Sequence, residues 1–220
     1  MKLSDFVEKP YPENWPPKEY YVPESALKAV DVEGLRVLVE QNAGEKKLDA
    51  YISEHPILLT ALLDFDNTGH HAAWVVPKKA IRSKISSEMP GLIPDFLVGG
   101  KNSFSITWYV VELKGAEHSL FTKSGNGLCL SSVANRGLCQ VLEYMHYCNT
   151  AQAKLRDELK LHGFSSPKAF VFIGRKTDTV TQRAVDLKTA LNTMNNRLQI
   201  RSYDALLKCC ERILGSNPEA

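Results

Sequence analysis

The chain has 220 residues, of which 44% are hydrophobic and 24% charged, a composition that predicts a globular domain with a core of its own. Its 27 basic and 25 acidic residues nearly balance, which excludes the strongly basic class of nucleic-acid-binding domain. Contacts with nucleic acid would have to come from a local cluster such as Lys78, Lys79, Arg82 and Lys84, which an ordinary solvated surface explains more simply.

The sequence carries no feature of export or membrane insertion. No segment approaches the roughly 20 apolar residues of a membrane helix, and residues 1–23 lack the basic start and apolar stretch of a signal peptide. The five cysteines are odd in number, form no CxxC pair and match no zinc-ligand spacing. We therefore expect a soluble, cytoplasmic protein without membrane contact, whose cysteines are buried and reduced.

The N-terminal segment, residues 1–23, is predicted to be an extended arm. It holds five of the chain's 11 prolines, and proline disfavours both helix interiors and central strands. Aromatic side chains are interleaved with these prolines, namely Phe6, Tyr11, Trp15, Tyr20 and Tyr21. We expect the arm to dock either on its own domain, residues 24–220, or on a neighbouring subunit.

Hydrophobic periodicity predicts the elements of the first half of the domain. Residues 34–63 are expected to be helical, because apolar side chains recur there at helical spacing. A short strand is predicted at Ala72–Val76. Two further strands, Ile93–Val98 and Phe104–Leu113, are predicted to form a hairpin around a turn at residues 99–102.

The second half is predicted to continue with a loop over residues 115–130 and a long helix from Ser131 to Leu161. A buried strand, a helix, a short strand and a final helix follow, at Ala169–Ile173, Val180–Met194, Leu198–Arg201 and Tyr203–Leu214. The apolar stripe of the first of these helices comprises Val180, Ala184, Leu187, Leu191 and Met194. This order of helices and strands predicts an α/β fold in which a mixed sheet is flanked by helices.

Residues with metal-binding chemistry lie on the two strands of the predicted hairpin. Asp95 follows Pro94 at the start of one strand, and Glu112 and Lys114 are two residues apart near the end of the other. Side chains alternate along a strand, so Glu112 and Lys114 share a face while Leu113 points into the core and offers its carbonyl oxygen. Mg²⁺-dependent hydrolysis of a phosphodiester needs oxygen ligands for the metal and a cation near the phosphate or the attacking water. Two carboxylates beside a lysine can supply these groups.

The triplet at residues 112–114 has counterparts elsewhere, at residues 158–160 and 186–188. Both counterparts lie in helical patterns, where residues two apart point to nearly opposite sides and cannot share a metal ion. The alternative interpretation of Glu112 and Lys114 is an ordinary cross-strand ion pair. Their strand is apolar on both faces, and buried charges in such a place require a reason.

Other polar residues are candidates for supporting roles, each with an ordinary structural alternative. Glu45 lies on the apolar side of the first helical segment, either as an inward acid or as a glutamate favoured by the helix dipole. Gln140 and Tyr144, four residues apart on the long helix, could orient substrate or water, or could simply flank a packed helix. His118 follows the second strand and could line the site.

In combination, these residues resemble the nuclease domain of the Shedu-type anti-phage proteins, a branch of the PD-(D/E)xK superfamily. The resemblance spans about residues 43 to 175 and joins five segments: Glu45–Leu59, Ile93–Phe96, Val111–Lys114, Gln140–Tyr144 and Phe170–Arg175. None of these segments is specific alone, whereas their combination is. The resemblance implies a restriction-endonuclease-like α/β core, a mixed β-sheet flanked by helices.

The resemblance also implies roles for single residues. Asp95 and Glu112 would be ligands of Mg²⁺, for which Mn²⁺ can substitute, and Lys114 would be catalytic with support from Glu45 and Gln140. The Leu113 carbonyl is expected to join the metal ligands. Candidate substrate contacts are Tyr144, His118 and Arg175.

The expected function is a metal-dependent DNA endonuclease in defence against phage or other foreign DNA, working as a homo-oligomer. One rival is a catalytically silent module of the same fold that binds nucleic acid or a partner protein. A second rival is a chain whose main role is assembly through residues 1–23.

Overall fold

The computed structural model describes residues 11–23, 26–66, 69–83 and 91–216. Its helices are α1 (Ala29–Glu40), α2 (Glu45–Glu54), α3 (Ser132–Thr150), α4 (Gln152–Asp157), α5 (Gln182–Met194) and α6 (Tyr203–Ser216). Its strands are β1 (Tyr21–Val22), β2 (Ala72–Pro77), β3 (Phe96–Lys101), β4 (Ile106–Leu113), β5 (Phe121–Ser124), β6 (Gly127–Leu130), β7 (Lys168–Phe172) and β8 (Leu198–Arg201). Segments of 3-10 helix cover Lys18–Tyr20, Pro56–Asp66 and Lys176–Thr179.

A mixed sheet forms the centre of the fold. Its strand order is β1-β2-β3-β4-β7-β8, while β5 and β6 pair with each other separately. Neighbours from β1 to β4 are antiparallel, whereas β4, β7 and β8 run parallel. A parallel pair needs a crossover connection, and α3 lies on the one between β4 and β7. The predicted α/β fold, a mixed sheet flanked by helices, is confirmed.

The two faces of the sheet bury different side chains of β4. Val111 and Leu113 belong to the larger core, which packs against α1, α2, α6 and the 3-10 segment before β2. Val110 belongs to the second core, which packs against α3 and α4. Because side chains alternate along a strand, Glu112 points to the α3 face together with Val110.

The described part of the N-terminal arm packs on the second core. Tyr11, Trp15 and Tyr21 surround Trp74 of β2, and Trp15 meets it edge-on with ring centroids 5.3 Å apart. The Trp74 indole N–H donates a hydrogen bond of 2.6 Å to the Tyr11 hydroxyl. Trp74 is completely buried as a result, so these aromatic side chains dock on their own domain.

The turn predicted at residues 99–102 is wrong, because β3 continues through both of its glycines. A Cβ atom on Gly100 would come within 2.7 Å of Leu63, so this glycine permits close packing rather than a turn. The chain turns after Asn102, whose side-chain oxygen accepts the amide of Ser105 at 2.8 Å. The two strands still form the predicted hairpin, with the first strand three residues later than predicted, at Phe96–Lys101.

The prediction of a loop over residues 115–130 is also wrong, because this segment contains the hairpin of β5 and β6. The two strands are joined at Gly125, whose φ of 55° lies in the left-handed region that favours glycine. None of the strand residues of this hairpin is buried, so it lacked the apolar pattern by which strands are predicted.

The long helix predicted from Ser131 to Leu161 is interrupted at Ala151, which separates α3 from α4. The Thr150 hydroxyl donates to the carbonyl of Tyr147 at 3.0 Å. A hydroxyl that competes for helical acceptors favours such a bend. The helical block predicted at residues 34–63 is likewise divided, into α1, α2 and the 3-10 segment.

The apolar stripe predicted for α5 is mostly not a core stripe. Of its members only Ala184 is fully buried, while Val180 is 77% and Met194 86% exposed. The helix packs beside β8 at the edge of the sheet, so only a narrow part of its surface is covered. The buried strand after α4, the strand β8 and the final helix are confirmed.

The cysteine prediction holds for part of the set. Cys148, Cys209 and Cys210 are buried and unpaired, whereas Cys129 on β6 and Cys139 on the outer side of α3 are exposed. Among the described residues, no helix is long and apolar enough to cross a membrane. Two residues of the sequence predictions, Phe6 and Lys84, lie outside the described residues.

Candidate active site

The register of the β3–β4 hairpin brings Asp95 to the end of β4. Phe96 pairs with Val111, and the Asp95 carboxylate just before it accepts the Leu113 amide at 2.8 Å. The amide and carbonyl of a strand residue point to the same side, so the Leu113 carbonyl also faces Asp95. The Leu113 side chain is fully buried in the opposite direction.

Glu112 and Lys114 form a nearly solvent-free ion pair on the α3 face. The Lys114 Nζ lies 2.7 Å from Glu112 Oε1, and the side chains are only 6% and 4% exposed. A second carboxylate, that of Glu45 at the start of α2, lies 3.4 Å from the same Nζ. Glu45 is half exposed, so it connects the buried pair to the protein surface.

The environment shifts the pKa of each of these groups. Burial raises the pKa of Glu112 to about 7, with a further contribution from the negative charge of Asp95. Burial also raises the pKa of Asp95, against the hydrogen bond from Leu113 that lowers it. Burial acts to lower the pKa of Lys114, but its hydrogen bond to Glu112 and the surrounding carboxylates raise it overall. Lys114 is therefore held as a cation.

Helix α3 covers this pair and adds polar groups. A Cβ atom at Gly137 would lie 3.2 Å from Cε of Lys114, so the glycine leaves room for the lysine side chain. Tyr144 is buried and donates to the Ile93 carbonyl at 3.3 Å. Burial, then the charges of Glu112 and Asp95, raise the pKa of Tyr144. The predicted Tyr144 thus lies beside the carboxylates.

The donor set fits a hard divalent cation, which prefers oxygen ligands. Glu112 Oε2 and Gln140 Oε1 are buried and have no hydrogen-bond partner among the described residues. Within that part of the chain, no three His, Cys, Asp or Glu side chains are close enough together to hold a metal ion. Asp95 and Glu112 would therefore need the Leu113 carbonyl as their third protein ligand.

Asp49 and Lys78, which sequence reasoning did not assign to the site, lie next to it. Asp49 of α2 forms an ion pair of 2.6 Å with Lys78, which follows β2. The hydrogen bond to Asp49 raises the pKa of Lys78 against a lowering by burial, and the charges of Asp95 and Glu45 add to the rise. The available signal was the four-residue spacing from Glu45 to Asp49, which places both on one helix face.

Tyr203, the first residue of α6, was also missed. Its hydroxyl donates to the Lys114 carbonyl at 2.7 Å, and the residue is fully buried. The Lys114 amide donates to the Phe172 carbonyl at 2.8 Å. The backbone of Lys114 is therefore held on both sides, by contacts from distant segments that no local pattern reveals.

His118 and Arg175 occupy places apart from this cluster. His118 Nε2 lies 3.4 Å from Glu117 Oε1. Arg175 lies 3.4 Å from Asp204 and donates to the Glu40 carbonyl. No hydrogen bond or ion pair among the described residues joins either side chain to the carboxylates, and their roles in substrate contact stay predictions.

The fold and the site define a nuclease-fold domain of the PD-(D/E)xK class, with an aspartate before one strand of a mixed sheet and a Glu-x-Lys triplet at the end of the next. The model of the family "Shedu protein SduA, C-terminal" matches residues 42–207, and the chain belongs to this family. The resemblance inferred from the sequence is thereby confirmed.

A solved structure, of restriction endonuclease FokI bound to DNA, is similar over 87% of this chain at 14% identity, with a TM-score of 0.45. This chain spans 29% of the length of that chain. No curated protein matches the sequence.

Proposed function

We propose that the chain is a metal-dependent endonuclease that hydrolyses phosphodiester bonds of DNA in defence against phage or other foreign DNA. The observation that supports this proposal is the meeting of Asp95, Glu112 and Lys114 at one end of the hairpin, with Glu112 and Lys114 almost completely buried. Burial of charged groups is costly, and a purely structural ion pair of this kind gains little stability. A catalytic role would explain why the protein keeps these charged groups buried despite the cost.

Asp95 and Glu112, with the Leu113 carbonyl, would hold Mg²⁺, and Mn²⁺ would substitute. The bound ion supplies positive charge that polarises the phosphate and makes water more acidic. The raised pKa of Lys114 makes its ammonium a permanent positive charge rather than a proton acceptor. Lys114 therefore offsets the negative charge that develops on the phosphate, or orients the attacking water.

The surrounding residues position this lysine. Glu45 lies 3.4 Å from its ammonium, close enough to orient it and to accept hydrogen bonds from water at the surface. Gln140 presents a buried oxygen that has no partner among the described residues, which suits a contact to water or substrate. Tyr203 holds the Lys114 carbonyl.

Cleavage of linear and circular DNA with Mg²⁺ or Mn²⁺ tests the proposal. We expect the wild type to cut and Lys114→Ala to lose at least about 100-fold in rate, as enzymes do when one charge-stabilising group is removed. Lys101→Ala is the matched control, because this lysine lies at the far end of β3, in the turn region of the same hairpin. It should cut like the wild type.

Cutting that persists in Lys114→Ala would contradict the assignment of the site. Absence of cutting by a folded wild type would favour the silent module that binds nucleic acid or a partner protein. Calorimetry with Mn²⁺ separates these outcomes further, because Asp95→Asn should abolish metal binding if Asp95 is a ligand.

Self-association is part of the same proposal, since the family resemblance implies it. Sedimentation velocity of the wild type and of a chain lacking residues 1–23 measures the mass in solution. A monomeric wild type at all concentrations would contradict it. Loss of the oligomer only in the shortened chain would assign assembly to the arm.

A further inference from the structure

The side chain of Lys78, the residue that follows β2, does not point in the direction that strand alternation predicts. Val75 packs in the larger core and Val76 in the second core, so continued alternation would send the Lys78 side chain towards α3. Its φ of 41° instead lies in the left-handed region, which residues with a Cβ adopt rarely. The side chain thereby reaches Asp49 on α2. Such strained residues cluster at functional sites.

The backbone of Lys78 is joined directly to the catalytic hairpin. Its amide donates to the carbonyl of Asp95 at 2.9 Å, one residue beyond the last pair of β2 with β3, between Pro77 and Phe96. The backbone of Lys78 is therefore held beside that of Asp95.

Asp49 holds the ammonium of Lys78 in place. The Asp49 side chain is only 16% exposed, whereas that of Lys78 is 55% exposed. Asp49 Oδ1 is buried and has no hydrogen-bond partner among the described residues, so the pairing with Lys78 through Oδ2 carries its interaction. An ordinary surface ion pair has two mobile partners, whereas here one partner is fixed in the protein.

The site consequently has two cations at different depths. Lys114 is almost fully buried and is in contact with both Glu112 and Glu45. Lys78 lies at the surface, beside Asp95. We infer that Lys78 is a second functional cation of the site, that it binds a phosphate of the DNA at the protein surface beside Asp95, and that Asp49 positions it. This inference rests on the proposed function and adds the group that receives the substrate backbone.

Binding of DNA in the presence of EDTA tests the inference without metal or turnover. Fluorescence anisotropy of Lys78→Ala should give an affinity lower by roughly tenfold, as expected for loss of one charge-assisted contact. The slope of log affinity against log salt should fall by about one. Lys79→Ala is the matched control: its ammonium lies over the ring of Tyr20, and we expect wild-type binding.

Kinetics distinguish a functional cation from a structural one. Lys78→Arg keeps the charge and should restore most of the binding that Lys78→Ala loses. Asp49→Ala should lower kcat/KM in the wild-type background but have no further effect in the Lys78→Ala background, because two residues that act through one group are not additive. Circular dichroism and melting temperature would show that each variant remains folded.

The outcomes separate this inference from the proposed function. If the wild type binds and cuts DNA and Lys78→Ala does both equally well, the inference is overturned and the nuclease stands. Equal loss in Lys79→Ala would also overturn it, since the effect would then be that of general surface charge. If the wild type neither binds nor cuts DNA, both proposals fail.

Discussion

The ammonium of Lys114 and the carboxylate of Glu112 are in contact at 2.7 Å, and solvent reaches almost none of either side chain. Transfer of each ion from water to the protein interior costs roughly several kcal/mol. The attraction between the two charges rarely offsets that cost in full. Glu112 lies near the end of β4 and Lys114 directly follows this strand. The two side chains face the same side, so both charges are buried next to each other. Ionisation of this pair should therefore change the free energy of unfolding.

The first prediction concerns the pH dependence of stability. The pKa of Glu112 is about 7 in the folded chain against an ordinary value of 4.5. Between these values the folded chain keeps a proton that the unfolded chain has lost, so stability falls as pH rises through this window. The size of the fall is on the order of 3 kcal/mol. Urea unfolding in EDTA at a series of pH values measures it.

A comparison of two glutamate variants isolates this contribution. Glu112→Gln removes the titrating group, so the fall in unfolding free energy between about pH 4.5 and about pH 7 should become shallower. Glu143→Gln changes a largely exposed glutamate on α3 and should leave the wild-type profile. Parallel profiles for the wild type and Glu112→Gln would show that Glu112 does not titrate in this window.

The second prediction concerns the space that Gly137 leaves for Lys114. A Cβ atom there would lie 3.2 Å from Lys114 and 3.4 Å from Val171, and the larger side chain of Gly137→Val would displace both. We expect a stability loss of roughly 1–3 kcal/mol from overpacking, together with reduced cleavage. Gly215→Val, at a helical glycine where an added Cβ atom would meet nothing within 4 Å, should change stability and cleavage little. Equal effects of the two variants would exclude the packing argument.

The third prediction concerns the arm. Trp15→Ala removes a ring that meets Trp74 edge-on at 5.3 Å and Tyr11 at 5.5 Å. Loss of these contacts should cost about 2 kcal/mol of unfolding free energy, measured by denaturant titration. Phe104→Ala, at a side chain that is 97% exposed, should stay within about 0.5 kcal/mol of the wild type. An equally small effect of Trp15→Ala would mean that the arm is only loosely attached.

The sequence was sufficient to predict that Asp95, Glu112 and Lys114 lie close together, because the geometry that joins them is local. Glu112 and Lys114 share a face through the two-residue period of a strand, and Asp95 meets them through a hairpin with short sequence separation. The pattern of apolar residues located that hairpin even though the turn within it was misplaced. Glycine at residue 100 indicates a turn or a close contact equally, and only the neighbouring Leu63 decides between them.

What could not be predicted depends on distant packing. The contact between Asp49 and Lys78 joins a helix to a strand end, and Tyr203 reaches Lys114 across 89 positions of the chain. Helix propensity and strand alternation contain no information about such contacts. The left-handed backbone of Lys78 even reverses the direction that alternation predicts, because the ion pair with Asp49 compensates for the strain.

The last prediction concerns the buried hydrogen bond between Tyr203 and the backbone of Lys114. The hydroxyl donates to the Lys114 carbonyl at 2.7 Å from a fully buried ring. Tyr203→Phe leaves that carbonyl without its donor, which should cost about 1–3 kcal/mol of stability. It should also lower kcat with little change in KM, because the contact positions Lys114 and does not touch substrate.

Tyr51→Phe is the control for this comparison. It removes a hydroxyl that donates to a backbone carbonyl, that of Asp31 at 3.0 Å, where α2 packs on α1. A similar or smaller stability loss with unchanged kcat is expected there. If both variants lower kcat in proportion to their stability loss, the effect of Tyr203 is one of general destabilisation. A fall in kcat confined to Tyr203→Phe would assign Tyr203 the role of holding Lys114 in position for catalysis.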